Sequence, residues 1–136
     1  MSKEGNYTDT DLVVRASESW LSARAADEAP SEWVHDLQME WLSTGQFEYM
    51  CQFILRLCEN IDPGDSEIIG LIGADPMLDL FLWFPDRALH AIEDMADRHP
   101  IVVDALFSIA RGTGSDEAVE AVLARHGRPL DPLEGE

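Results

Sequence analysis

Apolar residues recur at three- and four-residue steps along almost the whole chain, and proline or glycine interrupts the pattern wherever it changes phase. No stretch alternates apolar and polar residues with the two-residue period of a half-buried strand. A first helix is predicted from about Thr10 or Asp11, whose side-chain oxygens can cap free amides. Leu12, Val13, Ala16, Trp20 and Ala23 lie on its inner face, and it stops before Pro30. Ser31 is placed to cap a second helix carrying Trp33, Val34, Leu37, Trp41 and Leu42, with both tryptophans expected inward, until Ser43-Thr44-Gly45 ends it. The third, from Gln46 to Asn60, has the cleanest stripe: Phe47, Met50, Cys51, Ile54, Leu57 and Cys58.

Asp62-Pro63-Gly64-Asp65 has turn composition, and Asp65 or Ser66 can cap a short fourth helix that ends before Gly73. Asp75-Pro76 then reads as an N-cap followed by proline at the first helical position, starting a separate two-turn helix over Met77 to Phe84. That helix is apolar all round, so it should be enclosed by its neighbours, with a partner protein as the alternative cover. Pro85-Asp86 restarts the chain as an amphipathic helix through Ala88, Leu89, Ile92, Met95 and Ala96 to His99. Pro100 opens the next, and Gly112-Thr113-Gly114 closes it. Ser115-Asp116-Glu117 caps a last helix that Gly127 terminates.

These elements predict an all-α chain: a single compact domain, residues 1–127, of roughly seven or eight short helices packed as helical hairpins, with a HEAT-like curl as one arrangement. Residues 128–136 read as a flexible acidic tail. No fixed-period repeat is present.

The run Leu71 to Phe81, with Ala74, Pro76, Asp79 and Leu80, followed at helical spacing by Ala88, Ile92 and Ala96 and then Arg98-His99-Pro100, resembles an uncharacterised bacterial domain family with an AGPLEDLL-like core motif. The likeness extends from Leu12 and Trp20 to about Gly127. This chain has Asp75 where the family pattern has Gly and Leu78 where it has Glu, so any role carried by that glutamate is absent here. The resemblance implies a small bacterial helical domain and supplies no activity.

Charge changes the picture most. Acidic residues number 27 and basic residues 9, for a net charge of -18, and Lys3 is the only lysine. Such a surface repels nucleic acid and favours basic partners; it can also imitate nucleic acid and occupy a protein's nucleic-acid groove. The plain alternative is that the charge serves solubility alone. No run approaches the roughly 18 apolar residues that span a bilayer, and MSKEGNYTDTD lacks a cationic start followed by an apolar stretch, so a cytoplasmic location is expected.

Catalytic and metal chemistry find little support. His35, His90, His99 and His126 show no HExxH spacing, and no CxxC occurs. Cys51 and Cys58 lie two helical turns apart, about 10 Å, too far for a disulfide, and both are expected as reduced core thiols. Gly112-Thr113-Gly114-Ser115 precedes a helix but is followed by Asp116 and Glu117, which repel phosphate. No catalytic residue, cofactor or metal ligand is assigned.

The acidic clusters are the better lead. Asp27, Glu28, Glu32 and Asp36 surround the first interhelical turn; Asp86, Glu93, Asp94 and Asp97 belong to one later segment, where the spacing of Asp86, Glu93 and Asp97 predicts one outward face. With Trp83 as an apolar anchor these are the candidate partner-binding residues. The reading is a non-enzymatic acidic binding protein that inhibits a basic protein partner. The partner is either a nuclease toxin, blocked in the manner of an immunity protein or antitoxin, or a nucleic-acid-binding complex, blocked by mimicry as anti-CRISPR proteins do. Carboxylates around an exposed aromatic would favour the first, and a regular line of carboxylates the second. The alternative is a small enzyme, or a scaffold self-associating as a homodimer through Met77 to Phe84.

Overall fold

The computed structural model describes residues 9–113 and 117–128, and every regular element in them is helical. The elements are α1 (Asp9–Ala25), α2 (Glu32–Ser43), α3 (Phe47–Glu59), α4 (Ser66–Ile72), a π-helical turn (Gly73–Met77), α5 (Leu78–Trp83), α6 (Ala88–Arg98), α7 (Pro100–Thr113) and α8 (Glu117–Arg125). They pack as a compact all-α fold.

Helix α3 is the hub. It touches α1, α2, α4, the π turn, α5, α6 and α7, because its inward positions Met50, Phe53, Ile54, Leu57 and Cys58 are all fully buried and present apolar surface to several neighbours at once. Trp20 of α1, Trp41 and Leu42 of α2, Leu80 of α5 and Leu106 of α7 close the core around it. Phe53 lies off the stripe read from the sequence, yet is buried against Trp41, with ring centroids 5.9 Å apart. Cys51 is only half-buried, at the edge of the same stripe.

Helix ends follow local chemistry. α1, α2 and α8 stop alike: a residue at positive φ (Asp27 62°, Gly45 76°, Gly127 79°) turns the chain. The next N–H then reaches back five residues, from Glu28 to Ala23 O at 2.8 Å, Gln46 to Trp41 O at 2.8 Å and Arg128 to Leu123 O at 2.8 Å. The two glycines are legible signals; Asp27 is not. Asp65 caps α4 by accepting from Ile68 N–H at 3.4 Å, and the turn before it is held by Gly64 N–H to Asp62 Oδ1 at 2.9 Å. Ser31 begins α2 but makes no side-chain cap bond. His99 is extended before Pro100, as the residue preceding a proline should be. α7 runs through Gly112 to Thr113; residues 114–116, where its stop and the cap of α8 were expected, lie outside the described residues, as does the tail from 129.

The central expectation needs correction. Gly73 to Pro76 is neither a turn nor the start of a new helix: α4, the π turn and α5 run on without a break. Gly73 is helical (φ -65°, ψ -45°), and Leu78 N–H donates to Gly73 O, five residues back. A proline inside an α-helix lacks one amide and drives its ring into the carbonyl four residues earlier; widening the turn by one residue removes that conflict. The sequence signal for a break was sound, and packing overrode it. Gly73 lies directly under α7, where an added Cβ would collide with the Ala105 carbonyl oxygen and meet Ile109 Cγ1 at 3.2 Å. The continuous helix therefore keeps α4 and the π turn pressed on α7 while α5 reaches α2, α3 and α6.

Two burial expectations also fail. Trp33 is 43% exposed although Trp41 is buried, because Trp33 stands at the open first turn of α2. The all-apolar segment is only partly enclosed: Met77 and Leu80 are fully buried, but Leu82 is 67% and Trp83 44% exposed. α5 ends at Phe84, whose ring packs edge-on to Phe47 at 5.1 Å, and no described element covers its outer side.

Candidate interaction surface

The basic residues explain where negative charge is left over. Arg24 stands 3.5 Å from Asp75 and stacks over Trp20 at 5.1 Å. Arg87 lies over the rings of Phe47 at 4.1 Å and Phe84 at 5.7 Å. Arg125 Nε donates to Glu93 Oε2 at 2.9 Å, and Arg128 pairs with Asp104 while covering Phe107 at 4.2 Å. These cations are engaged inside the fold, which leaves most carboxylates to the surface.

The candidate carboxylates accordingly divide into two sets. Glu93 is held by Arg125, while Asp97 and Asp94 stay mostly exposed beside His126 at 3.5 Å and His90 at 3.8 Å, contacts that become ion pairs only when the histidine is protonated. Asp86 precedes α6, which begins at Ala88, and so does not share a helical face with Glu93 and Asp97. Asp27, Glu28, Glu32, Asp36 and Asp86 are exposed and form no ion pair with a described residue. Asp27 and Glu28 are joined by Asp65 and Glu67, which the spacing does not connect to them: with Arg24, Ile68 and Leu71 these line a cleft of about 450 Å³ between the end of α1 and the start of α4.

A half-buried polar cluster was also missed. Asp75 and Asp79 are one turn apart on the continuous helix; Arg24 reaches Asp75 from α1, and His35 belongs to α2, which packs against α5. Burial first, and the neighbouring Asp75 second, hold the Asp79 carboxyl above the ordinary carboxylate value of 3.8, with His35 opposing the rise. Three and four residues further along the same helix are the exposed Leu82 and Trp83. The only sequence hint was Asp-x-x-x-Asp-x-x-Leu-Trp, four- and three-residue steps that acquire meaning once the helix is known to be continuous.

Two further concave surfaces lie between helices. A cleft of about 600 Å³ between α4 and α7 is lined by Ser66, Ile69, Phe107, Ser108 and the Asp104–Arg128 pair, with no histidine or cysteine on its walls. A smaller groove between α3 and α6, about 270 Å³, includes Cys51, whose thiol burial pushes up to about 12, so it is not a thiolate at neutral pH. Cys58 is likewise pushed to about 12, again chiefly by burial. Among the described residues, no group of three or more His, Cys, Asp or Glu could hold a metal ion, and no helix is long and apolar enough to cross a membrane. No protein-family model, curated protein or solved structure matches the chain.

Proposed function

We propose that the protein is a non-enzymatic acidic binding protein that acts in the cytoplasm by occupying, and so inhibiting, a basic protein partner. The observation that carries this reading is the division of charge: a chain of net charge -18 commits Arg24, Arg125 and Arg128 to its own carboxylates and leaves Asp27, Glu28, Glu32, Asp36 and Asp86 exposed and without an ion pair to any described residue. A field of that sign accelerates encounter with a cationic protein, and guanidinium–carboxylate pairs then set its orientation.

Of the two forms such an inhibitor can take, an immunity-type protein seated on a toxin is favoured over a nucleic-acid mimic. Mimicry calls for a regular line of free carboxylates, and on α6 that line is interrupted at Glu93, which Arg125 holds. Membership of the bacterial family with the AGPLEDLL-like motif, carried here by Ala74 to Phe81, belongs to the same proposal.

The test is affinity capture from a lysate of the protein's own cells at low and at high salt, followed by an activity assay of whatever is retained. The expected result is one basic protein, released by salt and inhibited when the acidic protein is added back. Capture of nothing, or of a partner indifferent to salt, removes the reading and moves weight to a small enzyme or a self-associating scaffold.

A further inference from the structure

We propose that Asp79, Leu82 and Trp83 on α5 form the anchoring contact for that basic partner, which covers Leu82 and Trp83 with an apolar recess and sets an arginine or lysine on Asp79. The inference rests on the reading of a basic partner given above and names the part of the surface that holds it.

Leu82, Trp83 and Trp33 are the exposed large apolar side chains of the described residues, and the first two adjoin in sequence at a helix end. Their exposure has a local cause. α5 turns Leu80 into the core and is stopped by Phe84 and Pro85, and Phe47 and Arg87 are taken up in covering Phe84. Among the described residues, none covers the outer side of Leu82 and Trp83. Tryptophan is among the residues most enriched at the dominant contacts of protein interfaces.

The charge beside the patch specifies the occupant. Asp75 and Asp79 share one stretch of helix, and Arg24 pairs there with Asp75. Asp79 is half-buried and forms no ion pair with a described residue, and burial and Asp75 both disfavour its ionised form while His35 favours it, so an incoming cation is worth more at Asp79 than at a fully solvated carboxylate. A second copy of this chain would bring its own Asp79 and another net charge of -18 to the same place, and an anionic membrane or nucleic acid would be repelled likewise. A basic protein supplies both the apolar cover and the missing cation.

The experiment uses the full chain, the basic protein it retains from its own cells as the probe, and three variants. Leu82→Ser/Trp83→Ala removes the anchor, Asp79→Asn removes the cation site, and Glu59→Gln controls for loss of one charge; Glu59 is exposed at the far end of α3 from Phe47, about 18 Å along its axis. Leu82 is 67% and Trp83 44% exposed, so the double variant should fold with a thermal midpoint only slightly below that of the wild type, which circular dichroism checks before binding is compared. Expected is an affinity loss of at least about 30-fold for Leu82→Ser/Trp83→Ala, about tenfold for Asp79→Asn and under about twofold for Glu59→Gln. Hydrogen exchange on the complex should show added protection in α5. If the double variant binds the basic protein as tightly as the wild type, the anchor is elsewhere and the acidic-inhibitor reading stands. If the wild type retains no basic protein, both fall. If the wild type sediments as a dimer and Leu82→Ser/Trp83→Ala as a monomer, the patch belongs to a second copy and the proposal is overturned.

Discussion

Gly73 has no room for a side chain, because the Ala105 carbonyl occupies the space into which a Cβ would project. Gly73→Ala should therefore lower stability by about 1–3 kcal/mol in urea unfolding, the usual range for overpacking, despite alanine's better helix propensity. At Asp79 the sign is set by ionisation. Its folded-state pKa is raised above the unfolded value, so the stability attached to the protonated form is fully present below the ordinary carboxylate range. It is lost as pH rises through the raised value. Asp79→Asn should accordingly raise the thermal midpoint at neutral pH and leave it nearly unchanged near pH 3, roughly one unit below the ordinary aspartate value of about 3.9; a lower midpoint at neutral pH would mean that His35 outweighs burial and Asp75. At this scale the sequence was most legible where one residue acts on its own backbone. Gly45, Gly127, Asp65 and Pro100 all end or begin helices as their chemistry dictates. Asp27, equally decisive at φ 62°, carries no comparable signal because aspartate seldom takes that conformation.

The helices contrast neighbouring positions of similar chemistry. Leu80 and Leu82 are two residues apart on α5, and both were expected to be enclosed; Leu80 is fully buried and Leu82 is 67% exposed. Leu80→Ala should cost about 2–5 kcal/mol, whereas Leu82→Ala should change stability by no more than about 0.5 kcal/mol, with urea titration of each as the check. Equal effects would place a cover over Leu82. Periodicity could not make this distinction, because a segment apolar on every side has no moment to orient it. The same limit explains Trp33 and Trp41, which the pattern sends inward together and the fold separates. The π turn marks the other limit of local reading. Gly-Ala-Asp-Pro is a competent helix break on its own, and it is the contact of Gly73 with α7 that makes a continuous helix, widened around Pro76, the better solution.

For the whole molecule the dominant quantity is charge. With 27 acidic residues against 9 basic ones, self-repulsion opposes the compact state, and the internal pairs of Arg125 with Glu93 and Arg128 with Asp104 relieve it only locally. The thermal midpoint should rise as salt goes from about 0.01 M to about 1 M, over which the Debye length falls from about 30 Å to about 3 Å. A falling midpoint would show that the internal ion pairs outweigh the net field. The same screening that stabilises the free protein should weaken its binding to a basic partner, so the two salt responses have opposite signs.

The sequence by itself determined the helical class, most helix ends and the sign of the surface, since each depends on residue type, on neighbours within a turn or on a sum over the chain. Only the tertiary structure decided which carboxylates remain free and which apolar side chains remain uncovered. Glu93 and Arg125 are 32 residues apart, and Asp104 and Arg128 are 24 apart; no local pattern distinguishes these carboxylates from Asp27 or Asp86. Leu82 and Trp83 differ from Leu80 in that no described helix lies over their outer side. Pairing and covering are properties of distance in space, and the candidate site, being what the fold leaves unpaired and uncovered, could be read only after the fold was known.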